Sequence, residues 1–411
     1  MSAILHAVTA APGTAAASDD ILRGQAEFAA LLERVHAIGR DVVAKYADEV
    51  DRDARFPSEA FDALKELKLL SCYVPAEYGG MGLDISQVSR LCEALGQYCA
   101  STAMIFAMHQ IQVACLVHHG LESAFFRDYA REMVQQQRLI ASATTEMGIG
   151  GDVRSSLCAV RVVDDHFILE KNAPVISYGE MADAILVTCR RSEEAPKNDQ
   201  ALVLVRKEDA LLRRLSEWNT LGFRGTCSPG FELKSIGNAQ QVFPVPYADI
   251  HSRTQHPVAH ILWASLWVGL ATDALNRART FVRGEARKTP GVLPINATRL
   301  AEADLVMNTM RSTLQATLSE YQALLNAADP EALSGFAFVI RVNNLKLTAS
   351  QLVLDVVMRA MLICGISGYR NDSKLSLGRH LRDATGAGLM VNNDRILGQN
   401  ATMHVALREA S

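Results

Sequence analysis

Moving a proton at an enzyme site takes an imidazole or a carboxylate that a substrate can reach. Three residues of this 411-residue chain offer one in suggestive surroundings. His109 lies in Met108-His109-Gln110-Ile111-Gln112, a run of polar groups within an otherwise apolar helical stretch. His260 stands near the start of a long helical run, where a histidine is either a base or a surface or capping residue. Asp394, in Asn393-Asp394-Arg395, is either a proton acceptor or part of a helix cap followed by an ion pair. His380 precedes Arg382-Asp383 and reads as structural. No pair among these has metal-site spacing, and no nucleophile elbow supports Ser/His/Asp catalysis. Just after Thr145, the glycines Gly148, Gly150 and Gly151 lack a Cβ and let backbone come close to a ligand.

The elements that must position these residues change texture twice. Residues 1–19 read as a loose tail rich in Ala and Thr, without the basic and apolar stretches of a signal peptide. Residues 20–138 read as helical: Pro57 opens a helix at Ser58, and Phe61, Leu64, Leu67 and Leu70 repeat along it. Asp84 introduces the next helix, which carries Val88, Leu91, Cys92 and Leu95. Residues 139–249 read as short strands, with Asp164-Asp165 as the turn of a hairpin, and imply a compact barrel or sandwich. Residues 250–411 return to long apolar-striped helices: Leu262 to Phe281, Leu300 to Leu325 and Val342 to Met361. The expected fold is multidomain and mainly α, an N-terminal helical domain, a central β-barrel and a C-terminal four-helix bundle.

The net charge of −4 and the lack of a basic patch argue against nucleic-acid binding. No apolar run approaches the roughly 18 residues of a membrane helix, so no membrane partner is expected. Eight scattered cysteines without a CxxC pair suit a reducing compartment, and the expected location is the cytoplasm.

Four segments in order resemble the acyl-CoA dehydrogenase family, from about Arg52 to the C-terminus. Val74-Pro75-Ala76-Glu77-Tyr78-Gly79-Gly80-Met81-Gly82-Leu83 is similar to its "vPeeyGGxGl" signature. Thr145-Glu146-Met147-Gly148-Ile149-Gly150-Gly151-Asp152 resembles its TEPGxGSD loop, with Met147 for the proline and Gly151 for the serine. Leu221-Gly222-Phe223-Arg224-Gly225-Thr226 resembles "lGmrgs", and Gly365-Ile366-Ser367-Gly368-Tyr369 with Arg382-Asp383-Ala384 resembles "GGxGy…RDA".

The resemblance implies FAD. Thr145 matches the threonine that hydrogen-bonds the isoalloxazine, and Ser177 matches the hydroxyl residue of the following strand, unless both merely cap strands. Val175 replaces the tryptophan that usually stacks there. Gly150, Gly151, Gly365 and Asn393 complete the expected cofactor contacts. Arg287, in a segment similar to "RxxFG" with Pro290 for the phenylalanine, would reach the pyrophosphate of a neighbouring subunit, with Arg283 as competitor. That role requires a homodimer or homotetramer.

The resemblance also implies desaturation of an acyl thioester, with CoA or a carrier protein as its handle. A carboxylate takes the α-proton while hydride leaves for flavin N5, and an electron-acceptor protein reoxidises the flavin. By spacing, however, Val391 occupies the place of the family's glutamate, and Ala259 its alternative place. Asp394, His260 and His109 are the candidate replacements. A flavin monooxygenase on the same scaffold, supplied with reduced flavin by a reductase, needs no such glutamate and is the second reading.

Overall fold

The computed structural model describes residues 12–150 and 152–406. Helix α1 (Pro12–Ile38) already occupies the later part of the expected tail. It is followed by α2 (Ala44–Asp53), α3 (Ser58–Glu66), α4 (Ile85–Gly96), α5 (Ala100–His119) and α6 (Ala124–Gln136). Asp84 caps α4 through its side chain, accepting from the Gln87 amide at 2.8 Å while Gln87 reaches back to the Asp84 amide at 3.0 Å. Then come β1 (Ile140–Ala143), β2 (Val160–Val163), β3 (His166–Ala173), β4 (Ala184–Arg190), β5 (Gln200–Arg206), β6 (Ala210–Arg214) and β7 (Phe231–Asn238). The chain ends in α7 (Tyr247–Ile250), α8 (His256–Lys288), α9 (Asn296–Asn326), α10 (Pro330–Ser334), α11 (Phe336–Cys364), α12 (Ile366–Tyr369), α13 (Gly378–Gly386) and α14 (Asn393–Ala406).

The hairpin forms as its sequence requires, with Val163 opposite His166 across Asp164-Asp165. The strands do not close into the expected barrel. They form two sheets, β1-β4-β5 and β2-β3-β7-β6, which meet in the isolated bridge of Ala159 with Arg190. The burial patterns give the reason. β4 and β5 are buried on both faces and behave as an inner layer. β3 and β7 alternate, one face in and one face out, as in a sheet covered on one side only. Each sheet therefore keeps two edge strands.

Helix α8 is the spine. It packs against α11, α9, α5 and α4, and its contact with α4 is backbone to backbone. A Cβ on Gly96 would stand 2.4 Å from the Leu266 carbonyl oxygen, and one on Gly269 would stand 2.2 Å from that of Glu93. Paired glycines let the two axes approach this closely.

The absence of any long apolar run, expected from sequence, is corrected by three helices. Those over 100–119, 247–288 and 336–364 are long and apolar enough to cross a membrane by length and composition. Of their most apolar windows, 89%, 83% and 50% of residues are buried inside the protein. A helix surrounded by others is apolar all round, so these windows are largely explained by the interior itself. Helix α11 retains an outward apolar stripe that includes Met358 and Leu362.

Candidate active site

A cleft of about 750 Å³ opens where four parts of the chain meet. They are the loop at Asp152 and Arg154, the entry to α8, the α10–α11 corner at Phe336, Val339 and Asn343, and the start of α14 at Val391 and Arg395. Its volume suits a small-molecule site.

The entry to α8 brings three histidines to the cleft: His251, His256 and His260. Residues five apart on an α-helix face about 140° away from each other. His251–Gln255, however, is one turn of π-helix, whose i→i+5 repeat sets His251 over His256. Ordinary α spacing then places His260 on the same side. The rings follow one another at 5.7 and 4.4 Å, and Trp263 lies 5.8 Å beyond His260.

Each imidazole is oriented by a neighbour. His256 Nε2 lies 2.8 Å from Asn343 Oδ1, and Asn343 gives its amide hydrogen to Asn400 Oδ1 at 2.8 Å. His260 Nδ1 lies 3.3 Å from the Val342 carbonyl oxygen. His251 Nδ1 lies 3.4 Å from Gln255 Oε1, which also accepts from the Tyr247 hydroxyl at 2.5 Å. Burial pushes all three pKa values down, His251 to about 4 and His260 well below its ordinary value. The positive charge of Lys346 and any charge on His256 oppose protonation of His260 further. The wall is therefore a row of neutral imidazoles at physiological pH. Only His260 of the three stood out from sequence. The signal that finds the others is the spacing of five and four, legible only once the π-turn is known.

The remaining sequence candidates are placed as follows. His109 is fully buried with both ring nitrogens engaged: Nε2 is 2.7 Å from the Leu70 carbonyl oxygen, and Nδ1 accepts from the Ile140 amide at 3.0 Å. It clamps the turn after α3 to β1, and no nitrogen is left for a substrate. Asp394 is exposed in the first turn of α14, where its amide donates to Asn392 Oδ1 at 2.9 Å, and it does not line the cleft. Val391 does line it, with a φ of +44° that a β-branched residue adopts only under strain. Behind it Lys346, fully buried on α11, donates to Asn393 Oδ1 at 2.6 Å. Asn393 also donates to Ser350 Oγ at 3.1 Å. Burial lowers the Lys346 pKa to about 8. Asn393 thus fastens α14 to α11.

Beside the cleft, Thr145 and Ser177 form a hydroxyl-bearing shelf. Thr145 Oγ1 donates to the Val175 carbonyl at 3.2 Å, and Ser177 Oγ accepts from Ser228 Oγ at 2.8 Å. Val175 itself is exposed, and Gly148 and Gly150 turn the loop with φ of +91° and +60°. A Cβ at Gly150 would meet nothing within 4 Å. Gly151 lies outside the described residues. Arg395 crosses from α14 to the Gly150 carbonyl, tying cleft and shelf together. An apolar ring edged with hydrogen-bonding groups fits a shelf of this kind: Thr145 and Ser177 offer hydroxyls, and the glycine loop offers bare backbone. Gly365 ends α11 with φ +55°, and Arg287 is exposed in the last turn of α8.

Two family models match the chain, together covering more than half of it. Residues 25–125 match "Acyl-CoA dehydrogenase, N-terminal domain", and residues 257–390 match "Acyl-CoA dehydrogenase, C-terminal domain". The chain belongs to the acyl-CoA dehydrogenase family. That family is one of flavin oxidoreductases, with FAD as its typical cofactor. Cyclohex-1-ene-1-carbonyl-CoA dehydrogenase of Syntrophus aciditrophicus is 25% identical over 86% of this chain and 84% of its own. The fold is also that of butyryl-CoA dehydrogenase from Megasphaera elsdenii, with a TM-score of 0.75 and 20% identity over 93% and 98% of the two chains. FMN-bound TdsC from Paenibacillus sp. A11-2, a dibenzothiophene monooxygenase, gives a TM-score of 0.80 and 18% identity over 92% and 97%.

The family segments far from the cleft serve as fasteners. Asp383 Oδ1 accepts from the Phe223 amide at 2.7 Å, and a Cβ on Gly222 would stand 2.2 Å from the Arg382 carbonyl oxygen. Arg382 pairs with Asp51 of α2, and Arg224 donates to the Asp51 carbonyl at 2.7 Å. The "lGmrgs" and "RDA" segments of this family member therefore bind α2, the loop after β6 and α13 into one joint.

Proposed function

We propose that this protein is a flavin-dependent oxygenase, acting on a substrate held against the α8 histidines and using reduced flavin supplied by a separate reductase. The carrying observation is the chemistry of the cleft wall. Its proton-handling groups are neutral imidazoles; among the described residues no glutamate lines it, and the carboxylate that does, Asp152, lies 3.7 Å from Arg154 on the shelf loop. Removing an α-proton calls for a base whose pKa is near the working pH. A buried histidine with a strongly depressed pKa is a poor one. The same imidazole suits holding a hydroxyl or amine hydrogen in place. Flavin, held by Thr145 and Ser177, would supply the redox chemistry, and the residues of the cleft would orient the substrate and keep water away.

A second reading is α,β-desaturation of an acyl thioester, with an electron-acceptor protein as partner. The dehydrogenase relatives of near-equal length favour it, and Arg154 at the cleft offers a cation for a phosphate-bearing handle. We also infer a cytoplasmic location, and self-association through the exposed α11 stripe, which would let Arg287 serve a neighbour's cofactor.

Anaerobic titration of the flavin-loaded protein with saturated acyl-CoAs separates the two. Persistence of the oxidised spectrum, together with transfer of an atom of molecular oxygen to an added substrate when reduced flavin is supplied, supports the oxygenase. Bleaching by an acyl-CoA sinks it in favour of desaturation.

A further inference from the structure

The hydrogen-bond partners of the α8 histidines fix where their protons sit. A backbone carbonyl only accepts, so His260 Nδ1, 3.3 Å from the Val342 oxygen, carries the hydrogen. His260 Nε2 is then a bare lone pair. Asn343 spends its amide hydrogen on Asn400, which leaves Oδ1 to accept from His256 Nε2 at 2.8 Å. His256 Nδ1 is the lone pair there. Gln255 Oε1 takes the hydrogen of His251 Nδ1 and leaves Nε2 of that ring bare. Among the described residues none of these three remaining nitrogens has a hydrogen-bond partner. The three rings that carry these acceptors line the cleft, and the apolar Phe336 and Val339 line it too.

We propose that this cleft selects a neutral molecule carrying an O–H or N–H donor on an apolar body, such as a phenol or an arylamine, through His256 Nδ1 and His260 Nε2. A thioester carbonyl or an ether brings only acceptors to this wall and would leave buried lone pairs facing lone pairs. An ammonium ion would supply donors, but desolvating its charge beside Lys346 opposes it. The inference rests on the reading of this cleft as the substrate site, and it names the substrate's recognition group.

The test is calorimetric binding to the flavin-loaded, oxidised protein, in which no turnover occurs. 4-Methylphenol is compared with 4-fluorotoluene, which is smaller and lacks the donor, and with 4-methylanisole, which is larger and lacks it. Donor recognition predicts that 4-methylphenol binds about ten-fold more tightly than either. His260→Phe and His256→Phe should each collapse that ratio, whereas His260→Gln, whose amide oxygen still accepts, should keep most of it. Equal affinity for the three probes, binding of none, or a ratio unchanged in both Phe variants overturns the inference. Incorporation of an atom of labelled molecular oxygen into each probe is measured alongside, with reduced flavin supplied. Donor preference without any oxygenated product defeats the oxygenase reading and leaves this inference standing. Oxygenation of 4-methylanisole as extensive as that of 4-methylphenol defeats the inference and leaves the oxygenase.

Discussion

His109 offers a direct contest between a catalytic and a structural role. The Ile140 amide can only donate and the Leu70 carbonyl can only accept, so the ring must carry its hydrogen on Nε2 and none on Nδ1. His109→Phe keeps a flat apolar ring but abandons both backbone groups. Leu70 O retains Gln110 Nε2 at 3.3 Å, while the Ile140 amide is left with no partner. One fully orphaned and one half-satisfied buried group cost about 2–4 kcal/mol together. The assay is urea unfolding followed by far-ultraviolet circular dichroism, with turnover expressed per bound flavin. The expected result is a lower midpoint and unchanged turnover per flavin. The clamp also predicts acid sensitivity. Burial lowers the His109 pKa from 6.5 to about 4, so the unfolded chain binds a proton that the folded chain refuses. Stability is therefore present above pH 6.5 and falls as the pH drops towards 4, by about 3 kcal/mol from this residue. His109→Phe should remove that share of the pH dependence. A variant as stable as the parent, or one that loses turnover at undiminished stability, would refute the clamp.

Gly96→Ala drives a methyl into the Leu266 carbonyl 2.4 Å away and should lower stability by about 2 kcal/mol, read as a drop in thermal midpoint. Val391→Gly relieves a β-branched residue at φ +44° and should leave the fold unchanged or stabilise it by up to about 1 kcal/mol in urea unfolding; a clear loss would show that the Val391 side chain matters more than its strain. Lys346 has its pKa lowered from 10.5 to about 8 by burial, so the unfolded chain holds the extra proton between those values. Stability should accordingly rise with pH from 8 towards 10.5, by up to about 1.4 kcal/mol per unit, and Lys346→Met should flatten that rise.

The helices were legible because their apolar residues recur at the helical period and their ends carry recognisable signals. Ser58 after Pro57 and Asp84 mark the starts of α3 and α4 where the structure has them. The sheet architecture was not legible. Short strands with frequent turns are common to barrels and to pairs of sheets, and the choice rests on which strands become edges. That depends on contacts such as Ala159 with Arg190, far apart in sequence, to which local periodicity is blind. Nor could sequence show that an apolar helix such as α5 would be surrounded on all sides, which is why its length and composition also satisfy a membrane criterion.

The site divides along the same line. Polar residues inside an apolar helix flagged His109, and the flag was sound: such a group must be satisfied or functional. Sequence cannot tell which, because its partners Leu70 and Ile140 lie on other elements. His251 and His256 went unmarked because an interval of five breaks the helical face unless a π-turn restores it, and nothing in His251-Ser252-Arg253-Thr254-Gln255 announces one. Holding that wider turn costs backbone hydrogen-bond geometry that an ordinary α-turn would keep. What it yields is a row of three imidazoles lining one cleft. Three histidines could as well have been arranged to bind a metal ion, but among the described residues no group of three or more His, Cys, Asp or Glu is placed to do so. Their protons are committed to Asn343, Val342 and Gln255, and it is this commitment, more than the histidines themselves, that makes the wall an acceptor surface.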